Sequence, residues 1–199
     1  MKCSSNYPYD RYDAVIRKQI TFRPVSLNRD CAMLHEWMQQ PHVIPYWHLD
    51  IPMAEYERHL QESLADSHQI LLIGELDGKP MSYWESYDVE GDIIGNYYDY
   101  QPYDQGVHLL IGPETFLGKG LVYPFLLTLL FKKFSFKKTT RIVAEPDVRN
   151  EKMIHVFKKC GFRPEKKVKL PDKTGLLMVC ERSDFESRWT AWNTNQFMM

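Results

Sequence analysis

Little in this chain marks it for an oxidising compartment, a membrane or a polyanion. It has four cysteines, Cys3, Cys31, Cys160 and Cys180, and no two of them share a redox or metal-ligand spacing. Reduced structural thiols are the expectation, and no metal site. Lysine and arginine number 25 against 26 acidic residues, so a net charge of -1 gives no pull toward nucleic acid or an anionic bilayer. The opening MKCSSNYPYDRYDAVIRKQ contains no apolar segment of the kind a signal peptide needs. The longest apolar run, Leu121 to Phe131, is too short to cross a bilayer. Repeats and low-complexity tracts are absent too. These absences together predict a soluble, cytoplasmic protein.

What is present is ordinary globular material. At 199 residues, 44% apolar and 26% charged, the chain is long enough for one well-filled domain. The expected plan is an arm over residues 1–16, a single domain over 17–182 and a terminal helix or tail over 183–199. The arm is either mobile or an added short strand. Aromatic residues make up 14%, and many fall in the first half, which fits a large core or an organic-ligand pocket.

Periodicity then orders the elements. Gln19 to Val25 alternates as a strand, and Asn28 to Gln40 places apolar residues at helical spacing, with Asn28 as a plausible cap. The segment PHVIPYWHLDIP carries three prolines and is expected to be irregular. A helix follows over Met53 to Ala65. Strands over Gln69 to Leu76 and Lys79 to Asp88 are joined by Asp77-Gly78, a hairpin signal. Residues 89–103 are an irregular excursion. Further strands are expected over Gln105 to Ile111, Thr139 to Glu145, Phe162 to Leu170 and Leu176 to Arg182. Helices are expected from Gly120 onward and over Asn150 to Cys160, the latter closed by Gly161. The resulting class is α+β, with the strands that flank the central helix running parallel.

The chemistry-bearing stretch is DQGVHLLIGPETFLGKGLVYPFLLTLLFKK, a strand, a glycine-rich turn and a buried helix. Such a turn offers backbone N–H groups to a phosphate, although a strand-to-helix turn uses the same residues for purely structural ends. His108, inside the strand, fits either a satisfied core histidine or a general base. Asp147, after Glu145-Pro146, fits either a turn group or the partner of that base.

Four segments together, LHEWMQQPHVIPYW, PMSYWESYDVE, YDQGVHLLIGPETFLGKG and EPDVRNEKMIHVFKKCGF, resemble the GNAT acyl-coenzyme A transferases. They are most similar to the siderophore-biosynthesis branch, which acylates N-hydroxylated lysine or related N-hydroxy-amines. The family loop pattern is Gln/Arg-x-x-Gly-x-Gly/Ala; Gly118 and Gly120 match it, and Thr115 stands where the basic or amide residue belongs. The resemblance implies a mixed, mostly antiparallel sheet with a splayed parallel central pair, flanked by helices. It implies acetyl-coenzyme A or another acyl-coenzyme A as co-substrate and direct transfer to a small N-hydroxy-amine, with a homodimer compatible. The implied coenzyme residues are Leu110, Ile111, Phe116, Leu117, Gly118, Lys119, Gly120, Leu121 and Asn150. His108 with Asp147 would be the catalytic pair, with an oxyanion donor from the amide of Leu110 or Ile111. Trp47, His48, Trp84, Glu85 and Tyr87 would form the acceptor pocket. The tyrosine that serves many relatives as general acid, four residues before the Gly of Gly-Phe, is Phe157 here. A transferase of ordinary primary amines and a non-catalytic acyl-coenzyme A-binding module are the alternatives to the N-hydroxy-amine reading.

Overall fold

A computed structural model describes residues 7–194. Cys3 and the last five residues of the expected tail lie outside them. The strands are β1 (Tyr9–Asp13), β2 (Lys18–Pro24), β3 (Gln69–Leu76), β4 (Lys79–Asp88), β5 (Gln105–Ile111), β6 (Arg141–Ala144), β7 (Arg163–Lys169) and β8 (Thr174–Glu181). The helices are α1 (Leu27–Met38), α2 (Ile44–Trp47), α3 (Met53–Ala65), α4 (Val122–Phe134), α5 (Glu151–Lys159) and α6 (Arg182–Thr194). One sheet of eight strands runs in the order β1-β2-β3-β4-β5-β6-β8-β7. Every pairing is antiparallel except β5 with β6, as expected for the fold class.

Two local expectations change. The proline-rich segment does form one turn of helix, α2, because Pro45 falls in its first turn, where a missing N–H costs nothing. Helix α1 begins earlier than Asn28, after Ser26, and the Asp30 carboxylate accepts the Ser26 N–H at 2.8 Å. Part of the N-terminal arm is strand β1, held against α6: Trp192 Nε1 donates to the buried Asp13 carboxylate at 2.8 Å, and the Arg11 guanidinium lies 4.0 Å above the Trp189 ring.

The sheet divides the core by strand alternation. One face carries Phe22, Trp84, Val107, Leu109 and Ile111 under α4, which is apolar on nearly every side and therefore buried. The other carries Leu71, Ile73, Tyr83 and Leu110 under α1 and α3. Tyr87 and Val143 lie on that second face, beneath residues of the 89–103 excursion.

What positions the site is the brevity of the parallel pair. β5 and β6 match only at Gln105–Ile142 and Gly106–Val143, then diverge. Gly112 N–H donates to Met81 and Val89 N–H to Asp104, each at 3.0 Å, so the even-numbered β5 residues hydrogen-bond to β4. The backbone groups of Val107, Leu109 and Ile111 therefore face the gap. The amide of Leu110 is turned to β4, which removes it as an oxyanion donor and leaves the Ile111 alternative beside Leu109.

The closure of this strand depends on one close approach. A Cβ on Gly106 would lie 1.9 Å from the ring of Tyr87. Gly106→Ala is therefore expected to lower the unfolding free energy by about 1–3 kcal/mol in urea titrations, through overpacking. A transition midpoint equal to that of the wild type would contradict this account.

Candidate active site

The gap between β5 and β6 is crossed by a row of polar side chains on a face that is otherwise apolar. Glu85 of β4 lies directly opposite His108 of β5 in the register. Its Oε2 accepts from His108 Nδ1 at 2.8 Å, and its Oε1 accepts from Tyr83 at 2.9 Å. On the other side His108 Nε2 bonds Glu145 Oε1, and Glu145 Oε2 accepts from the Tyr87 hydroxyl at 2.9 Å. Glu145 follows the last residue of β6, so the row joins three strands across the divergence.

Satisfiability and the surrounding charges together argue for a charged imidazole. Both of its nitrogens face carboxylate oxygens, and where those carboxylates are ionised they only accept, so both nitrogens donate. Burial alone would lower the His108 pKa; the Glu145 charge and hydrogen bond, then those of Glu85, outweigh it and push it up to about 10. Burial likewise opposes ionisation of Glu145 and Glu85, and the His108 cation overrides it, so both pKa values fall. Burial and then the neighbouring carboxylates drive the Tyr83 and Tyr87 hydroxyls well up, keeping them neutral donors.

This arrangement differs from the pair the sequence suggests. Asp147 borders the same cavity as His108, but its carboxylate is bound by Arg149, through the backbone N–H at 2.8 Å, Nε at 2.9 Å and Nη2 at 2.7 Å. Arg149 also holds the Asp147 pKa down. Glu145 occupies the position beside His108 that Asp147 was expected to fill. Residues two apart at a strand end share a face, so alternation offers both acids to one neighbour and does not choose between them.

Two openings meet at the gap. A cavity of about 280 Å3 is bordered by Trp47, Glu85, His108, Glu145, Phe157 and Lys173, among others. Lys173 Nζ lies 3.9 Å from Glu145, and Asp172 stands exposed at the rim. A groove of about 1000 Å3 runs from the open edge of β5 along α5 and the glycine turn. Of the residues named for the coenzyme, Leu110, Ile111, Leu117, Gly118, Gly120 and Asn150 border it. Gly118 and Gly120 adopt φ of +70° and +71°, and a Cβ at either would meet nothing, so their backbone lies open to an incoming anion. Phe116 and Leu121 instead pack against the core, and Lys119 is exposed away from the groove wall. Asn150 Oδ1 accepts the Met153 N–H at 3.2 Å and so caps α5 where the two openings join.

The expected acceptor residues separate. Trp47 and Glu85 border the cavity, and Tyr87 lies beneath it as the support of Glu145. Trp84 is excluded: alternation sends it to the opposite face, fully buried, where it donates to Ser82 at 2.7 Å and meets Phe22 edge-on. His48 caps α2 in the left-handed region, exposed, and borders neither opening. Tyr46, Glu145, Asp172 and Lys173 are among the bordering residues the sequence alone did not single out.

Known proteins share this framework. A family model for the acetyltransferase (GNAT) domain matches residues 26–170. An N-hydroxyputrescine acetyltransferase of Acinetobacter baumannii is 33% identical over 82% of this chain and 78% of its own length. An N(6)-hydroxylysine O-acetyltransferase of Escherichia coli is 30% identical over 89% of this chain, which spans 56% of that enzyme. Among solved structures, an uncharacterized protein from Bacillus halodurans matches with a TM-score of 0.93 and 56% identity over 95% of this chain and 97% of its own. An aminoglycoside acetyltransferase in complex with coenzyme A matches with a TM-score of 0.76 and 29% identity over 84% of this chain and 98% of its own.

The charge assignment can be read directly. A raised pKa keeps His108 protonated at every pH below its folded-state value, so its ring resonances should stay in the imidazolium position from pH 6 to about 9. Glu145→Gln should bring the titration down toward neutrality. A wild-type midpoint near the ordinary histidine value of about 6.5 would refute the doubly donating imidazole.

Proposed function

Because the chain belongs to the GNAT acetyltransferase family, we propose that it moves an acyl group from acetyl-coenzyme A to the nitrogen of an N-hydroxylated amine, forming a hydroxamate of the siderophore type. Acetyl-coenzyme A is the family's co-substrate, and the groove beside the glycine turn has the open backbone that a diphosphate requires. The acceptor enters the smaller cavity, and the two meet at the edge of β5.

The observation that carries the acceptor is the clamped imidazole. An imidazolium with both N–H groups engaged has no lone pair with which to take a proton. That argues against His108 as general base and in favour of a nucleophile that arrives already neutral. An alkylammonium of pKa about 10.4 is roughly one part in a thousand neutral at pH 7.5. In an N-hydroxylamine the adjacent oxygen withdraws electron density, and the conjugate acid loses its proton near neutral pH. Such a nucleophile attacks the thioester unaided and loses its remaining N–H proton from the tetrahedral adduct, where nitrogen is strongly acidic. The row Glu85–His108–Glu145 then acts as a fixed charged wall that orients the acceptor, and Asp172 at the rim meets a distal ammonium.

The open backbone groups of β5 supply the remaining need. The oxyanion forming on the thioester carbonyl requires N–H donors directed into the gap, and those of Leu109 and Ile111 are so directed. A direct transfer follows, without a covalent enzyme intermediate, because the described cysteines Cys31, Cys160 and Cys180 are all buried in the core.

At pH 7.5, kcat/KM for N-hydroxyputrescine or N6-hydroxylysine should exceed that for putrescine or lysine by roughly 10²–10³-fold, the ratio of neutral amine available. The rate on the plain amines should rise about tenfold per pH unit, while that on the N-hydroxy-amines stays flat. Equal rates at pH 7.5 would remove the N-hydroxy-amine reading in favour of an ordinary amine acetyltransferase.

A further inference from the structure

The departing group presents the other half of the proton problem. When the C–S bond of the tetrahedral adduct breaks, the electron pair goes to sulfur, and a donor at that point lowers the barrier. Phe157 cannot serve; it is buried beside the acceptor cavity and has no proton to give. The thioester must sit where the groove and the cavity join, and five residues border both: Tyr46, Trp47, Leu109, Asn150 and Met153. Leu109 and Met153 are apolar. The Trp47 indole is not an acid of useful strength, and the Asn150 oxygen is committed to capping α5. Tyr46 is the one titratable side chain of the five.

We propose that Tyr46 is a catalytic residue of this transferase, the general acid that protonates the coenzyme A thiolate as it leaves. Among the described residues its hydroxyl makes no hydrogen bond, unlike those of Tyr83, Tyr87 and Tyr98, each committed to a carboxylate. It is therefore available to a ligand at the junction. Its position is also held: Arg149 Nη2 donates to the carbonyl of Pro45, the preceding residue, at 3.3 Å, while its other contacts anchor it to Asp147. The Arg149 guanidinium, held over the Pro45 carbonyl, is close enough to the Tyr46 side chain for the two to interact electrostatically. The step balances. Nitrogen gains the acyl carbon as sulfur loses it, the Tyr46 proton passes to sulfur, and the proton released from nitrogen reaches solvent, from which Tyr46 is reprotonated. The position lies in a different element from Phe157, and the two are brought to one cavity only by the fold.

This proposal rests on the acetyl-coenzyme A half of the function and not on the identity of the acceptor. The test compares the wild type with Tyr46→Phe in a thiol-release assay, using acetyl-coenzyme A with N-hydroxyputrescine, free hydroxylamine and putrescine in parallel. Coenzyme A affinity is followed by calorimetry, and folding by thermal melting. The expected result is a fall in kcat of roughly 10²-fold, by the same factor for every acceptor that is turned over, with KM for acetyl-coenzyme A and coenzyme A affinity unchanged. A kcat equal to that of the wild type, or a loss confined to KM, would overturn the assignment. A wild type that consumes putrescine and ignores N-hydroxyputrescine would sink the acceptor reading and leave the Tyr46 comparison valid.

Discussion

The bond between His108 and its two glutamates is the constraint around which the site is arranged. A sheet that parts between two parallel strands exposes backbone edges and loses ladder hydrogen bonds just where it must hold a ligand. Here β4, β5 and the end of β6 are tied across that opening by a carboxylate, an imidazolium and a second carboxylate. Placing three charges on a mostly apolar face is costly unless each is paired and hydrogen-bonded. The cost is offset by geometry: Glu85 and Glu145 each accept a further tyrosine hydroxyl, and Lys173 approaches from the β7–β8 turn. Removing His108 would leave two close carboxylates with only tyrosine hydroxyls and, for Glu145, Lys173 to offset their charge, so the row behaves as a unit.

The groove inherits its shape from this brace and from the chain ends. Trp192 of α6 packs edge-on against Tyr123, whose side chain borders the groove beside the glycine turn, and reaches past it to Asp13 of β1. Both of these supporting elements lie outside the residues 26–170 that match the family model. On the opposite wall His42 Nε2 bonds the Ile111 carbonyl at 2.9 Å, fastening the proline-rich segment to the end of β5. His42 thereby takes up one lone pair of the Ile111 carbonyl and fixes the strand end at the mouth of the gap.

Much of this was legible in the sequence because it is written in short-range pattern. Alternation set Glu85, Tyr83 and Tyr87 on one face and Trp84 on the other, and the Asp77-Gly78 hairpin and the Gly161 helix end followed from turn and cap residues, whereas the start of α1 and the helical turn α2 did not. The two glycines with an open positive φ are where the loop pattern put them. The acid beside His108 was not legible. Glu145 and Asp147 stand two apart on one face, and which of them reaches the imidazole depends on where Arg149 goes, a contact decided in three dimensions. Trp84 and His48 lie outside the cavity, and the same alternation that places Glu85 in it removes Trp84. The junction position of Tyr46 requires α2 and the gap between β5 and β6 to be packed together, which no local pattern reports.

The choice of nucleophile and the placement of proton carriers are one physical question. A transferase acting on an alkylammonium must first remove a tightly held proton, and it needs a base with a free lone pair near the acceptor. The imidazole here has given up both nitrogens to structure, which a site facing that task would not allow. An N-hydroxylamine lifts the demand on the base side and leaves the demand on the leaving thiolate untouched. The residue left free to meet it should lie on the coenzyme side of the cavity, neutral and uncommitted, beside a cation. Tyr46, bordered by Arg149 and bonded to nothing among the described residues, stands at that place.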